Sequence, residues 1–463
     1  ERVPEMKPLA IEPDDRAFAL AREGLVLESS PSAVADGSAG AAAGADAWAA
    51  LRRLPTATST RHTASVLRDT RPPARALSLL TAELSRRLAA HPPGAQERVW
   101  IAAPAGAERF GLGALLGAAR QLGLAVDGFV DAAVVSVAAL GGTGAAIVVE
   151  LGLHHSAATL VERDGGPTGR RRSLVSDRGG LLELYQSWLD LINTATVRQT
   201  RFDALHDAST EQELFDALPA LAREAMAGGT ATAALTAGGT RLEVPVARDQ
   251  LVHAAQPLWR EVARLLHELR PAGGALTLLA PQALIALPGF REMLTGFAGC
   301  ELVGVPAGFA AAATSLLDLP LRAPTEPVRL LRRLPSAPQP ALAALAVRES
   351  AGELRPAAPA SHVLFSGRTF ALAGEWLVVG RAPGARHAIT LPEGLAGVSR
   401  RHCTFVREGA EALLLDHSRF GTFVNGERVA ERARVRAGDE VRIGDPGVTL
   451  SLIAVGEAPA AAP

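Results

Sequence analysis

Through the first 320 residues, short apolar runs alternate with longer stretches whose apolar residues recur every three or four positions. The runs predict buried strands at Val99–Ala103, Ala145–Leu151, Ala157–Glu162 and Leu276–Leu279. The longer stretches predict amphipathic helices near Leu77–Ala90, Leu112–Leu122, Gly180–Ile192, Glu211–Ala225 and Arg248–Leu269. Such alternation implies sheets covered by helices. Beyond residue 360 the pattern becomes all-β. Strand-like segments recur at Thr369–Leu372, Trp376–Val379, His402–Arg407, Ala412–Asp416, Thr422–Val424, Glu440–Ile443 and Thr449–Ala454, divided by turns such as Asn425-Gly426, and this spacing predicts a sandwich.

The two patterns meet in a proline-rich stretch. Residues 321–360 hold seven prolines with arginines between them, which predicts an extended, semi-rigid linker, since proline fixes φ and lacks an N–H. The domains are therefore drawn at 1–322, linker 323–360, sandwich 361–457, and a disordered tail at 458–463. The Ala/Gly/Ser-rich insert Ala35–Ala50 is expected to be a surface loop. Ala132–Val149 is eighteen residues without a charge, long enough to suggest a membrane span. Gly141-Gly142-Thr143-Gly144 splits it, so a buried helix (Val130–Leu140), turn and strand (Ala145–Val149) is expected instead. Glu1–Glu12 has no apolar core of secretory-signal length.

Composition narrows the chemistry. Lys+Arg 47 against Asp+Glu 48 gives a net charge of −1 in 463 residues, which disfavours a general nucleic-acid binder. Lys7 is the single lysine. No lysine beyond it can serve a Walker P-loop, a pyridoxal Schiff base or a kinase-type site. The arginine and alanine bias is what a GC-rich bacterial genome produces. Cys300 and Cys403 cannot form a disulfide framework, which suits a reducing, cytoplasmic setting. Arg170-Arg171-Arg172 is expected to be a solvated hairpin end, and Trp188, Phe202, Phe215 and Cys403 to be core.

Three clusters in the C-terminal module carry polar chemistry: Gly380-Arg381 after a strand, Ser399-Arg400-Arg401-His402 before one, and Asp416 to Gly426. If these loops gather at one end, Arg381, Ser399, Arg400 and Arg419 make a donor-rich concavity suited to phosphate oxygens. Residues 361–455 resemble a forkhead-associated (FHA) domain, a β-sandwich that binds phosphothreonine peptides. The resemblance rests on Gly380-Arg381, the Ser399-Arg400-x-His402 motif, Gly421-Thr422-Phe423-Val424-Asn425-Gly426, Gly438-Asp439 and Ile443-Gly444. It implies phosphate contacts from Arg381 and Ser399, a second cation in Arg400, a bracing role for His402, and a hairpin turn at Asn425-Gly426. Arg419 is positioned to reach the peptide. The family usually has asparagine before the Gly-Thr pair, its amide holding the peptide backbone. Phe420 stands there in this chain, and a ring cannot replace two directed hydrogen bonds.

The N-terminal region offers no metal cluster and no nucleophile elbow. The order of its elements resembles the actin-like ATPase superfamily, which includes heat-shock chaperone ATPase domains and bacterial actin homologues. The resemblance is carried by Gly24–Ala35, by the connecting-helix segment Asp131–Leu140, by the strand-turn-strand at Glu150-Leu151-Gly152, and by Leu276–Phe290. It implies a two-lobed fold with two facing Asp-x-Gly phosphate loops. The corresponding loops read Ile11-Glu12-Pro13-Asp14-Asp15-Arg16 and Glu150-Leu151-Gly152-Leu153-His154-His155, and Ala280-Pro281 replaces the glycine pair expected near adenosine. Added carboxylates repel phosphate and proline offers no amide.

The expectation is thus a multidomain chain: an α/β, two-lobed, actin-like pseudo-ATPase without cofactor, followed by an all-β FHA sandwich. Its role would be a non-catalytic adaptor for a threonine-phosphorylated protein or peptide, with no nucleic-acid partner, membrane span or resident metal. The alternative is a Mg-ATP-dependent switch in which Glu12 and Glu150 hold a metal ion through water and His155 assists.

Overall fold

The computed structural model describes residues 7–36, 42–94, 97–163, 166–237, 240–271, 276–294, 297, 300–319, 322–323, 325–350, 360–365, 368–372, 376–392, 395–408, 411–424, 427–435, 439–444 and 447–453. The chain divides into two compact units, residues 1–290 with 299–351, and residues 291–298 with 352–463.

The first unit is mixed α/β and repeats one strand order twice. Leu9–Glu12, Phe18–Arg22 and Leu25–Ser30 form an antiparallel meander, and Arg98–Ala103 then Ala125–Asp131 extend the sheet in parallel from the free side of Leu9–Glu12. In the second sheet Gly144–Leu151, Ser156–Arg163 and Thr168–Ser176 make the meander. Leu276–Pro281 and Cys300–Val305 extend that sheet in the same parallel manner. Each half closes with a short apolar helix, Ala132–Leu140 and Phe309–Leu316.

These two helices are apolar on every side because both lie in one core that takes residues from the two sheets, among them Ala10, Ala102, Val148, Leu279 and Val303. Alternation along the first strand follows: Ala10 joins that core while Leu9 and Ile11 pack with helices Ala74–Ala90 and Arg109–Gln121 on the other face. Asp131 starts its helix by accepting the Val134 N–H at 3.2 Å, and Gly141 ends it at φ 68°. The uncharged run is accordingly helix, turn and strand. Among the described residues no helix is long and apolar enough to cross a membrane.

Three expectations need correction. Residues expected to be linker carry strands: Arg329–Leu331 pairs with Ala125–Asp131, Arg333–Leu334 with Thr168–Ser176, and Val347–Ser350 with Cys300–Val305. None of the seven prolines falls within these three strands, so each strand keeps its backbone donors for pairing at its sheet edge. Residues 351–359 lie outside the described residues. The Ala35–Ala50 insert is partly structured, since Ala42–Ala43 pairs with Val34–Ala35 and Ala47 of helix Ala45–Trp48 is buried. The arginine triplet is not a hairpin end. It lies within strand Thr168–Ser176, and its members pair with Asp131, Glu162 and Glu268 in turn.

The core assignments stand for Trp188, Phe215 and Cys403, all at most 1 % exposed, while Phe202 is half-buried. Helix Leu181–Thr200 is fixed in part by the Trp188 indole N–H, which donates to the Leu251 carbonyl at 3.1 Å.

The second unit is a β-sandwich. One sheet orders Arg368–Ala371, His362–Phe365, Gly447–Ile453, Glu440–Gly444, Thr422–Val424 and Glu427–Arg428. The other orders Ala388–Thr390, Leu377–Gly380, Cys403–Glu408, Glu411–Asp416 and Arg432–Val435. Val363, Leu377, Val379, Phe405, Leu414, Val441, Ile443 and Leu450 fill the space between them. The short strands Ala388–Thr390 and Arg432–Val435 were not among those predicted.

Candidate functional site

Strand Leu377–Gly380 ends where strand Cys403–Glu408 begins, because the two are antiparallel with Val379 opposite Cys403. Asp416, at the end of the next strand, also lies opposite Cys403. Three loops are thereby brought to one end of the sandwich. Gly380 allows their close approach: a Cβ there would lie 2.1 Å from the Arg400 carbonyl oxygen. The Arg381 and Ala382 amides donate to the carbonyls of Ser399 and Arg400 at 3.2 and 3.0 Å.

His402 ties the second loop to the third. It is fully buried, its Nδ1 accepts the Ser399 N–H at 3.1 Å, and its Nε2–H donates to the Gly421 carbonyl at 3.3 Å. That pattern requires the neutral ring, and burial pushes its pKa below the ordinary 6.5. Asp416 closes the third loop, accepting from the Ser418 N–H at 3.0 Å and from the Thr422 hydroxyl at 2.7 Å. The Ser418 hydroxyl oxygen accepts the Gly421 N–H at 2.8 Å. Burial alone would raise the Asp416 carboxyl, but the bonds from Thr422 and Ser418 hold it below its ordinary value.

This scaffold presents Arg381, Ser399, Arg400, Arg419 and Phe420 together. The Ser399 oxygen accepts the Arg419 N–H at 3.3 Å, which leaves the hydroxyl hydrogen to be donated outward. Arg381, Arg400 and Arg419 are exposed. Among the described residues none of these three arginines joins an ion pair, whereas Arg434, farther along the chain, pairs with Glu411 at 3.2 Å. Phe420 is 63 % exposed, with the Arg419 guanidinium 5.9 Å from its ring centre. Asn425 and Gly426 lie outside the described residues. Chemically, the loops offer two or three guanidiniums, without ion-pair partners among the described residues, and a hydroxyl to a compact anion.

Sequence reading missed the roles of Asp416 and Ser418, although an aspartate two residues before a serine is a recognisable Asx-turn signal. It also missed Arg428, whose Nε lies 2.7 Å from where a Cβ on Gly421 would sit. No local pattern marks that contact, which strand pairing creates.

In the first unit, the positions expected to be degenerate phosphate loops come together where the two halves meet. Glu12 ends the first strand of one half and Glu150 nearly ends the equivalent strand of the other. Each takes an amide from the opposite half: Glu12 accepts the Ala311 N–H at 3.0 Å, and Glu150 accepts the Ala105 N–H at 2.9 Å. Burial first, then the nearby Asp14 charge, pushes both carboxyls up to about 8. Asp15 accepts the Leu153 N–H at 2.9 Å and lies 3.5 Å from the His155 ring. A Cβ on Gly152 would lie 2.3 Å from that ring and 2.6 Å from Asp15, so the loop is packed onto its own side chains. His154 is turned elsewhere, 2.9 Å from the Thr60 hydroxyl.

The space left is small. A gap of about 10 Å³ lies between Asp14, Asp15, Glu150, Gly152 and His155, and one of about 60 Å³ is lined by Glu12, Arg16, Ala280 and Phe309. Ala280 is fully buried in its strand. A small-molecule pocket usually spans roughly 300–1,000 Å³, and both gaps are well below that. A larger cleft of about 1040 Å³ lies beside them, lined by Arg52, Arg61, Arg68, His154 and Glu183 among others. Among the described residues no group of three or more His, Cys, Asp or Glu is arranged to hold a metal ion.

Residues 377–444 match the family model for the FHA domain. That stretch, with the sandwich and loops around it, is an FHA domain, a class of module that recognises phosphothreonine-containing peptides. No curated protein matches the chain.

Proposed function

We propose that this chain is a non-catalytic adaptor that reads threonine phosphorylation through its FHA domain, on a platform of actin-like, pseudo-ATPase character in the bacterial cytoplasm. The observation that carries the reading is the convergence of Arg381, Ser399 and Arg400 on one loop end, held there by backbone bonds and a neutral His402. A phosphate of charge near −2 is matched by two guanidiniums, each charge-assisted bond contributing about 1.5–3 kcal/mol. The repeated strand order of the first unit supports the actin-like assignment, since Glu12 and Glu150 sit at corresponding ends of its two halves. Loss of nucleotide function is supported by the small gaps at the loop positions and by carboxyl groups occupying amides that a phosphate would otherwise use.

The rival reading, a Mg-ATP switch recruited by the FHA domain, draws on the larger cleft and its arginines. Two titrations of the full chain separate them. A library of phosphothreonine peptides is expected to bind well above its unphosphorylated counterpart, and Mg-ATP is expected to give no saturable heat at micromolar levels. Saturable Mg-ATP binding would support the switch instead.

A further inference from the structure

The loop end carries more positive charge than one phosphate uses. Besides Arg381 and Arg400, it presents Arg401 on the second loop, Arg419 on the third, and Arg428 against the Gly421 backbone. All five are exposed, and among the described residues none joins an ion pair. Asp416, the carboxylate that ends the adjoining strand, is occupied by Ser418 and Thr422. Two guanidiniums balance a phosphate dianion, so Arg401, Arg419 and Arg428 are surplus to it, with no ion-pair partner among the described residues. Phe420 at the same rim offers no amide to a peptide backbone, so side-chain charge is the selective chemistry that remains there.

We infer that this surface selects phosphothreonine peptides whose flanking residues are acidic, with Arg401 and Arg428 as specificity-determining residues beside the phosphate site. The inference rests on the phosphothreonine reading and specifies its ligand class. Complementary charge at a rim acts through many weak exposed pairs, each worth a factor of about two, and it is sensitive to salt.

The test uses the full chain and four synthetic peptides: phosphothreonine or threonine at the centre, each flanked by two alanines or by two aspartates on either side. At low salt, the aspartate flanks are expected to raise phosphopeptide affinity about tenfold, or 1.4 kcal/mol. The gain should shrink severalfold at molar salt. Arg401→Ser and Arg428→Ser should each remove a factor of about two to three of the gain, together nearly all of it, while preference for phosphate persists. Arg428→Lys should keep the gain, which a purely structural role for the side chain would not allow. A wild-type chain that prefers phosphate but ignores flanking charge would overturn this inference and leave the proposed function standing. A chain indifferent to phosphate would overturn the function itself, and the ligand class with it.

Discussion

At the scale of single residues, the two informative positions are Phe420 and His402. Phe420 precedes the Gly421-Thr422 pair, the position at which the FHA resemblance implies an amide that holds the peptide backbone, and its ring is mostly in solvent. Phe420→Asn is expected to tighten phosphopeptide binding about two- to tenfold, the return from one or two neutral hydrogen bonds of about 0.5–1.5 kcal/mol. Weaker binding would mean that the ring itself contacts the peptide. His402 is buried as a neutral ring with its pKa below 6.5. Its folded state resists protonation, so its contribution is complete above about pH 6.5 and is lost as pH falls through the lower folded value. Hydrogen exchange at the Ser399 amide, corrected for its intrinsic pH dependence, should therefore keep its protection down through about pH 6.5 and lose it only at lower pH. Constant protection would contradict the assigned Nδ1 acceptor.

Among elements, the segment leading out of the first meander is clamped to two helices by a buried polar network. The Ser32 hydroxyl and the His62 Nε2 both donate to one Glu83 oxygen, at 2.7 and 2.8 Å, and the Arg87 guanidinium meets the other at 2.7 Å. Ser32, His62 and Glu83 are all at most 1 % exposed. The serine and histidine share a single carboxylate oxygen, so this is a brace and not a proton relay. Burial alone would raise the Glu83 carboxyl, but bonds from His62 and the Arg87 charge hold it below 4.5. Its stabilisation is present above about pH 4.5 and is lost as pH falls through the lower folded value. Glu83→Ala should cost about 3–5 kcal/mol in thermal or urea unfolding, because it strands Arg87 and His62 without their partner. A cost below about 1 kcal/mol would show that water replaces the carboxylate.

Much of the element map was legible because its signals are local. The Arg248–Leu269 helix, the Gly141–Gly144 break and the Ser399-Arg400-x-His402 motif each announce themselves within a few residues. The edge strands at 329–334 and 347–350 did not, since the prolines around them read as linker and their pairing is supplied by distant neighbours. The Ser32–Glu83 brace joins residues 51 positions apart, and Arg428 meets Gly421 only through strand pairing. No window of sequence displays such contacts.

On the scale of the whole molecule, Glu12 and Glu150 tie the halves of the first unit together by exchanging amides. Both carboxyls titrate near 8 in the fold against an ordinary 4.5. The folded state thus holds protons that the unfolded chain releases, and stability falls as pH rises from about 4.5 to 8. The Glu12→Gln, Glu150→Gln double variant should flatten that slope between pH 5 and 8 in thermal melts, since neutral amides keep the size and lose the titration. An unchanged slope would place the proton uptake elsewhere. The proposed function places recognition in the FHA domain, so its most direct test addresses that module. Fluorescence anisotropy of one labelled phosphothreonine peptide and its unmodified twin, with wild-type chain and with Arg381→Ala and Ser399→Ala, tests it most directly. The wild type should clearly prefer the phosphorylated peptide, and both substitutions should abolish that preference. Equal discrimination by all three proteins would contradict it.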